Sequence, residues 1–124
     1  MENLRLEETK YTPEINLSTD GIVSLVGKSY PENTFEFYAP MMKWLAEYFE
    51  TSAQEVTVIN MEIIYFNSSS SKLFFDFFDL LEENSEEHKI EINWIYDEEN
   101  ESAEEAGEDF IEDFEDLNIK LVTK

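Results

Sequence analysis

The sequence predicts an α/β fold, a mixed sheet of about four to five strands flanked by helices. Two observations carry that prediction. Apolar residues switch repeatedly between the two-residue strand period and the 3.6-residue helix period, giving the order β-β-α-β-α-β-α-β. The composition is that of a packed chain: 42% of the 124 residues are hydrophobic, with ten Phe, six Tyr and two Trp. That is enough to close one core, so a single domain over residues 1–124 is expected.

The elements follow in order. Around Leu4 to Leu17 the chain is strand-like but broken at Thr12-Pro13. Asp20-Gly21 is a turn signal, and Ile22-Val23-Ser24-Leu25-Val26 supplies the β-branched return strand of a hairpin. Gly27 to Asn33 reads as a loop, with Pro31 and Asn33 as breakers. Tyr38, Met41, Met42, Leu45, Tyr48 and Phe49 recur at helical spacing, with Pro40 suited to the first turn and an end near Glu50-Thr51-Ser52. Val56 to Phe66 is so densely apolar that a central strand covered on both faces is expected. Leu73, Phe74, Phe77, Phe78 and Leu81 line one face of a second helix, and Ile90 to Tyr96 is a strand. Phe110, Ile111, Phe114 and Leu117 give a third helix its periodicity, and Ile119 to Val122 forms a short last strand.

Charge bounds the partners. There are 30 Asp and Glu against 8 Lys and Arg, a formal net of −22. Such a surface repels nucleic acid and anionic lipid over roughly a Debye length, about 8 Å in physiological salt. The expected partners are therefore proteins, with no nucleic acid and no membrane. The absence of cysteine rules out disulfides and thiol catalysis and fits an intracellular chain. The N-terminus is charged from its second residue, and no apolar run approaches the roughly 18 residues of a membrane span, so a cytoplasmic location is expected.

The feature most able to carry chemistry is the run Ser68-Ser69-Ser70-Ser71, preceded by Asn67 and followed by Lys72. It joins a strand to a helix, where free backbone N–H groups and the helix dipole favour negative charge. Two readings stand. A hydroxyl or amide cap stabilises a helix by about 1 kcal/mol and needs no further role. Alternatively, the turn accepts a phosphate, which adds roughly −1.5 to −2 charges and three strong acceptors.

Other candidates are weaker. Of the 20 residues from Asp97 to Asp116, 12 are acidic and none is basic, which reads as a solvated helix face or as a nucleic-acid mimic that blocks a basic groove. An EF-hand loop is excluded, because Ser102 stands where its glycine belongs. His88 is the only histidine, beside Lys89 and near the end of the second helix, so no metal site and no cofactor are expected. No nucleophile–base pair or phosphate loop marks an enzyme. Tyr30, Tyr38 and Trp44 are candidates for a partner-binding patch if exposed.

Several blocks together resemble one family. Thr12-Pro13, Gly27 to Asn33 (GKSYPEN), Phe37-Tyr38 with Pro40 ahead of Trp44-Leu45, Tyr65 to Lys72 (YFNSSSSK), Trp94 with Tyr96-Asp97-Glu98, and Gly107 to Phe110 resemble the SiaC-type regulatory phosphoproteins. The resemblance covers nearly the full length. It implies the STAS-like fold of anti-sigma-factor antagonists and a non-enzymatic phospho-switch. A partner kinase would phosphorylate the hydroxyl residue directly after Phe66-Asn67, which is Ser68, and a PP2C-type phosphatase would remove the phosphate. The unphosphorylated form would bind and stimulate a diguanylate cyclase, raising cyclic di-GMP and favouring biofilm. The family pattern has threonine where this chain has Ser68, a departure of one methyl group. Ser69 and Ser70 are alternative acceptors or phosphate-cradling groups, Ser71 is structural, and Asp97 and Glu98 join the partner-reading surface.

Overall fold

The chain lays its strands down in sequence order, so neighbours along the chain are neighbours in the sheet. The computed structural model describes residues 1–124. Its elements are β1 (Leu4–Leu6), β2 (Glu14–Leu17), β3 (Ile22–Ser29), α1 (Thr34–Thr51), β4 (Val56–Phe66), α2 (Ser68–Asn84), β5 (Lys89–Tyr96), α3 (Glu101–Asp113) and β6 (Asn118–Thr123). The first three strands run antiparallel, and β3 to β6 run parallel. The class is α/β, as expected.

Four details depart from the sequence reading. The sheet has six strands, because the N-terminal segment splits in two around a Thr9–Thr12 turn whose hydroxyls lie 2.6 Å apart. Pro13, which has no N–H to give a ladder, sits at the break. Gly27 to Ser29 continue β3 instead of forming a loop: the pairing with β4 slips between Gly27 and Lys28, and Gly27 takes φ +136, a conformation that L side chains avoid. Helix α1 begins at Thr34, so Pro40 lies inside it. Asn33 is an effective cap, its Oδ1 accepting the Glu36 N–H at 3.2 Å, and Pro40 is exposed. Finally, β4 alternates between buried and half-exposed residues up to Ile63, so it is covered on one face only.

All three helices cover the same face. Consecutive parallel strands joined by right-handed crossovers, always stepping in one direction, place every helix on one side. The side-chain bonds agree: Tyr48 of α1 reaches Thr57 of β4 at 2.9 Å, and Trp94 of β5 donates to the Ala103 carbonyl of α3 at 2.8 Å. The core is one continuous cluster, filled largely by Tyr38, Tyr48, Phe74, Phe77, Phe78 and Trp94. Helix α3 lies close to the sheet because Gly107 has no side chain; a Cβ there would come within 2.6 Å of the Trp94 ring and 2.5 Å of Leu121.

The opposite face is open. A polar row crosses all six strands in register: Arg5, Asn16, Ser24, Asn60, Asn93 and Lys120. Asn93 donates to Asn60 at 2.9 Å within it. Of the charged residues on this face, Arg5 pairs with Glu14 at 3.1 Å and Lys124 with Glu62 at 2.6 Å, leaving Lys28, Lys89, Lys120 and Glu91. Cations therefore outnumber carboxylates by two here, in a chain whose net is −22. The acid lies on the helix side and in the loops beside it. No helix is long and apolar enough to cross a membrane.

Candidate functional site

Strand β4 ends at Phe66, and α2 starts two residues later at Ser68, so the serine run is the first turn of a helix. Asn67 is the cap. Its side-chain oxygen accepts the Ser70 N–H at 2.9 Å, its carbonyl accepts the Ser71 N–H at 2.9 Å, and its own N–H donates to the Ser29 carbonyl at 3.1 Å. Of the donors that a helix start leaves without an intrahelical partner, those of Ser68 and Ser69 remain open to solvent or to an anion. Ser68 and Ser69 are exposed, Ser71 is half-buried, and Lys72 is exposed one turn beyond Ser68.

Ser70 differs from its neighbours. It is 0% exposed, and its hydroxyl lies 2.7 Å from Ser29 Oγ and donates to the Ser29 carbonyl at 3.0 Å. Ser29 Oγ lies 2.6 Å from the hydroxyl of Tyr38. One arrangement satisfies every group: Tyr38 donates to Ser29, Ser29 to Ser70, and Ser70 to the Ser29 carbonyl. This chain fastens the head of α2 to β3 and α1. A phosphate on Ser70 has no room in the folded chain, so Ser70 is a structural anchor and the expectation that it is an alternative acceptor is corrected. A two-residue step on a helix turns the side chain by about 200°, which puts Ser68 out and Ser70 in.

Tyr38 and Trp44 are also corrected as partner-facing residues. Tyr38 is 0% exposed, and Trp44 is 7% exposed with its ring stacked on Tyr48 and its Nε1 donating to the Glu2 carbonyl at 2.8 Å. Both fall on the apolar stripe of α1, and that periodicity is the signal that places them in the core. Burial pushes the Tyr38 phenol up to about 12. Its folded value is above the unfolded one, so the stability it lends is complete below pH 10 and is lost as pH rises toward 12. That difference amounts to a few kcal/mol. Urea titrations at pH 9 and 11.5 are expected to show a steeper alkaline loss for the wild type than for Tyr38→Phe; parallel losses would mean that the phenol is not protected.

Tyr30, half-buried, and the exposed Asp97 and Glu98 do lie at the same end of the sheet as Ser68, where β3, β4 and β5 finish. Asp97 lines a cavity of about 180 Å³ with Ile64, Ile95, Asn100 and Lys124. The acidic run is no tail: Asp97 to Asn100 form a turn and α3 follows, with Phe110 and Phe114 in the core. Tyr96 donates to Glu104 at 3.0 Å, which holds its phenol above the usual range. His88 lies past the end of α2, its ring 5.4 Å from Phe49.

The model of the SiaC family regulatory phosphoproteins matches residues 6–124. The chain belongs to the SiaC family. A Pseudomonas aeruginosa (strain UCBPP-PA14) relative, an uncharacterized protein, is 35% identical over 115 residues, which is 91% of this chain and 90% of the relative. The crystal structure of apo-SiaC from P. aeruginosa is similar with a TM-score of 0.90 at 30% identity, covering 98% of this chain and 99% of that one. A structure of the diguanylate cyclase SiaD in complex with its activator SiaC, also from P. aeruginosa, contains a chain with the same TM-score of 0.90 and 30% identity over 98% of this chain. The chain thus belongs with the regulatory phosphoproteins of that family, and its serine turn is a helix start with two unengaged N–H groups.

Proposed function

We propose that this chain is a cytoplasmic, non-enzymatic signalling protein, one domain over 1–124, switched by reversible phosphorylation at Ser68. A kinase adds the phosphate, and a PP2C-type phosphatase removes it. The unphosphorylated form binds and stimulates a diguanylate cyclase, raising cyclic di-GMP. The single observation that carries this reading is the contrast within the serine run: Ser68 is exposed at the first helical position while Ser70 is wholly buried. Likeness to the activator SiaC, solved with the cyclase SiaD, supports the choice of effector.

The physics of the switch is local. A phosphate on Ser68 gains the dipole of α2, two unengaged N–H groups and Lys72 at i+4. It also changes the charge presented there by roughly −1.5 to −2, which redirects docking without unfolding the domain. Incubation with the cognate kinase and ATP, followed by mass spectrometry, is expected to place the phosphate on Ser68 and to find none on Ser68→Ala. Equal labelling of Ser68→Ala would rule this acceptor out. In a cyclase assay, Ser68→Ala is expected to stimulate and Ser68→Asp to stimulate less; equal stimulation would sink the switch.

A further inference from the structure

Nothing in the local sequence decides where α2 begins. Asn and Ser cap helices about equally well, so Asn67, Ser68, Ser69 and Ser70 offer competing starts on consecutive residues. A later start would leave the serines before it outside the helix, with their hydroxyls free to turn. The start at Asn67 is selected from outside the run. The Ser29 carbonyl accepts the Asn67 N–H at 3.1 Å and also the Ser70 hydroxyl at 3.0 Å. Ser29 Oγ lies 2.7 Å from Ser70 Oγ and 2.6 Å from the Tyr38 hydroxyl, which ties the turn to α1.

The slip in β3 puts Ser29 within reach. Gly27 pairs with Ile63, so an unbroken register would set Ser29 opposite Tyr65. The slip between Gly27 and Lys28 sets it opposite Phe66 instead. That is one residue, about 3.3 Å, nearer the serine turn. Gly27 makes the slip possible, since its φ of +136 suits no other residue and a Cβ there would come within 2.5 Å of Glu8. Bulges re-aim side chains beside functional sites. The group re-aimed here is Ser29, and both of its oxygens are spent on holding the head of α2 in place.

We infer that Ser29 and Tyr38 are specificity-determining residues for the phosphorylation: by locking the first turn of α2 they select Ser68 from a run of near-identical serines. The inference rests on the function proposed above. In the transfer, Ser68 Oγ forms a bond to the γ-phosphorus of ATP, the bond from that phosphorus to the ADP oxygen breaks, and the hydroxyl proton passes to the base of the kinase. Ser70 cannot take this role while the lock holds. It is 0% exposed, its proton is given to the Ser29 carbonyl, and its oxygen faces Ser29 Oγ. Ser69 is exposed, but in a locked turn its side chain points about 100° round the helix axis from that of Ser68. A pocket that receives one of the two hydroxyls therefore misses the other. Once the lock is broken the turn frays, and the three hydroxyls become equivalent to a kinase.

The test maps the phosphate by mass spectrometry after incubation with the cognate kinase and ATP, in the wild type, Tyr38→Phe, Ser29→Ala and Tyr48→Phe. Tyr48→Phe is the matched control. It also removes a buried phenol of α1, but one that bonds Thr57 at 2.9 Å, at the far end of β4. Losing a buried hydrogen bond raises the population of the opened turn about tenfold. Tyr38→Phe and Ser29→Ala are therefore expected to carry about a tenth or more of the phosphate on Ser69 and Ser70, and to exchange the Ser70 and Ser71 amide hydrogens about tenfold faster. The wild type and Tyr48→Phe are expected to carry it on Ser68 alone. Thermal unfolding checks the fold of each variant, and if Ser29→Ala does not fold, the isosteric Tyr38→Phe decides. Ser68 alone in Tyr38→Phe overturns the inference and leaves the proposed switch standing. Equal spreading in Tyr48→Phe, or spreading without faster exchange, overturns it too. Wild-type phosphate on another serine removes both the inference and the choice of Ser68. If the wild type takes no phosphate, the proposed function falls, and the inference falls with it.

Discussion

Ser70→Asp is expected to lower stability by about 3–5 kcal/mol, while Ser68→Asp stays within about 1 kcal/mol of the wild type. The two substitutions are chemically identical and two residues apart. At Ser70 a carboxylate enters a site that is 0% exposed, with no cation near and with the Ser29 and Tyr38 hydroxyls already engaged. It loses hydration, and the Ser29 carbonyl it faces repels it. At Ser68 the same charge stands in water at the positive end of the α2 dipole. Urea denaturation at pH 7 reads both, with Ser70→Ala as the size-matched control at about 1–2 kcal/mol. A loss below about 1 kcal/mol for Ser70→Asp would mean that the turn opens readily, and Ser70 would again be a candidate acceptor.

Trp94→Ala is expected to cost about 3–5 kcal/mol, a large part of the net 5–15 kcal/mol that holds a domain of this kind together. Trp94 is 0% exposed and fills the space under α3 that Gly107 leaves open. Its ring lies 5.4 Å from Phe110 and 6.2 Å from Phe66, and its buried Nε1–H finds its partner in the Ala103 carbonyl. Removing it strips α3 of both its packing partner and its hydrogen bond. Trp94→Phe restores most of the volume but not the indole bond to that carbonyl, so an intermediate loss is expected. If chemical denaturation found the alanine variant within 1 kcal/mol of the wild type, α3 would not be anchored through this ring.

Much of this was readable in the residues. Val56 to Phe66 has the bounds of β4, and the Phe-rich stripe from Leu73 to Leu81 is the buried face of α2. The failures share a cause: local rules were outweighed by what lies far off in sequence. Pro40 fits a first turn, but Asn33 caps the helix seven residues earlier. Val56, Val58 and Ile64 look like core, yet no helix crosses to their side of the sheet, because each connection steps in the same direction. The serine turn itself was legible as a strand-to-helix joint. What separates Ser68 from Ser70 was not, since it depends on Ser29 and Tyr38, residues that only the fold brings alongside. The bulge likewise gives no local signal: a one-residue slip in pairing is a property of two strands together.

The open face, nearly balanced in charge, lies opposite a layer that carries almost all the acid. A body charged on one side has a permanent electric moment, so the field of a charged partner turns it before the surfaces touch. A basic partner draws the helices forward; an acidic one is met sheet-first. Dissolved salt weakens that torque at separations beyond about 8 Å. The rate at which this protein finds each partner is therefore set partly by ionic strength, and the presented face by the partner's own sign.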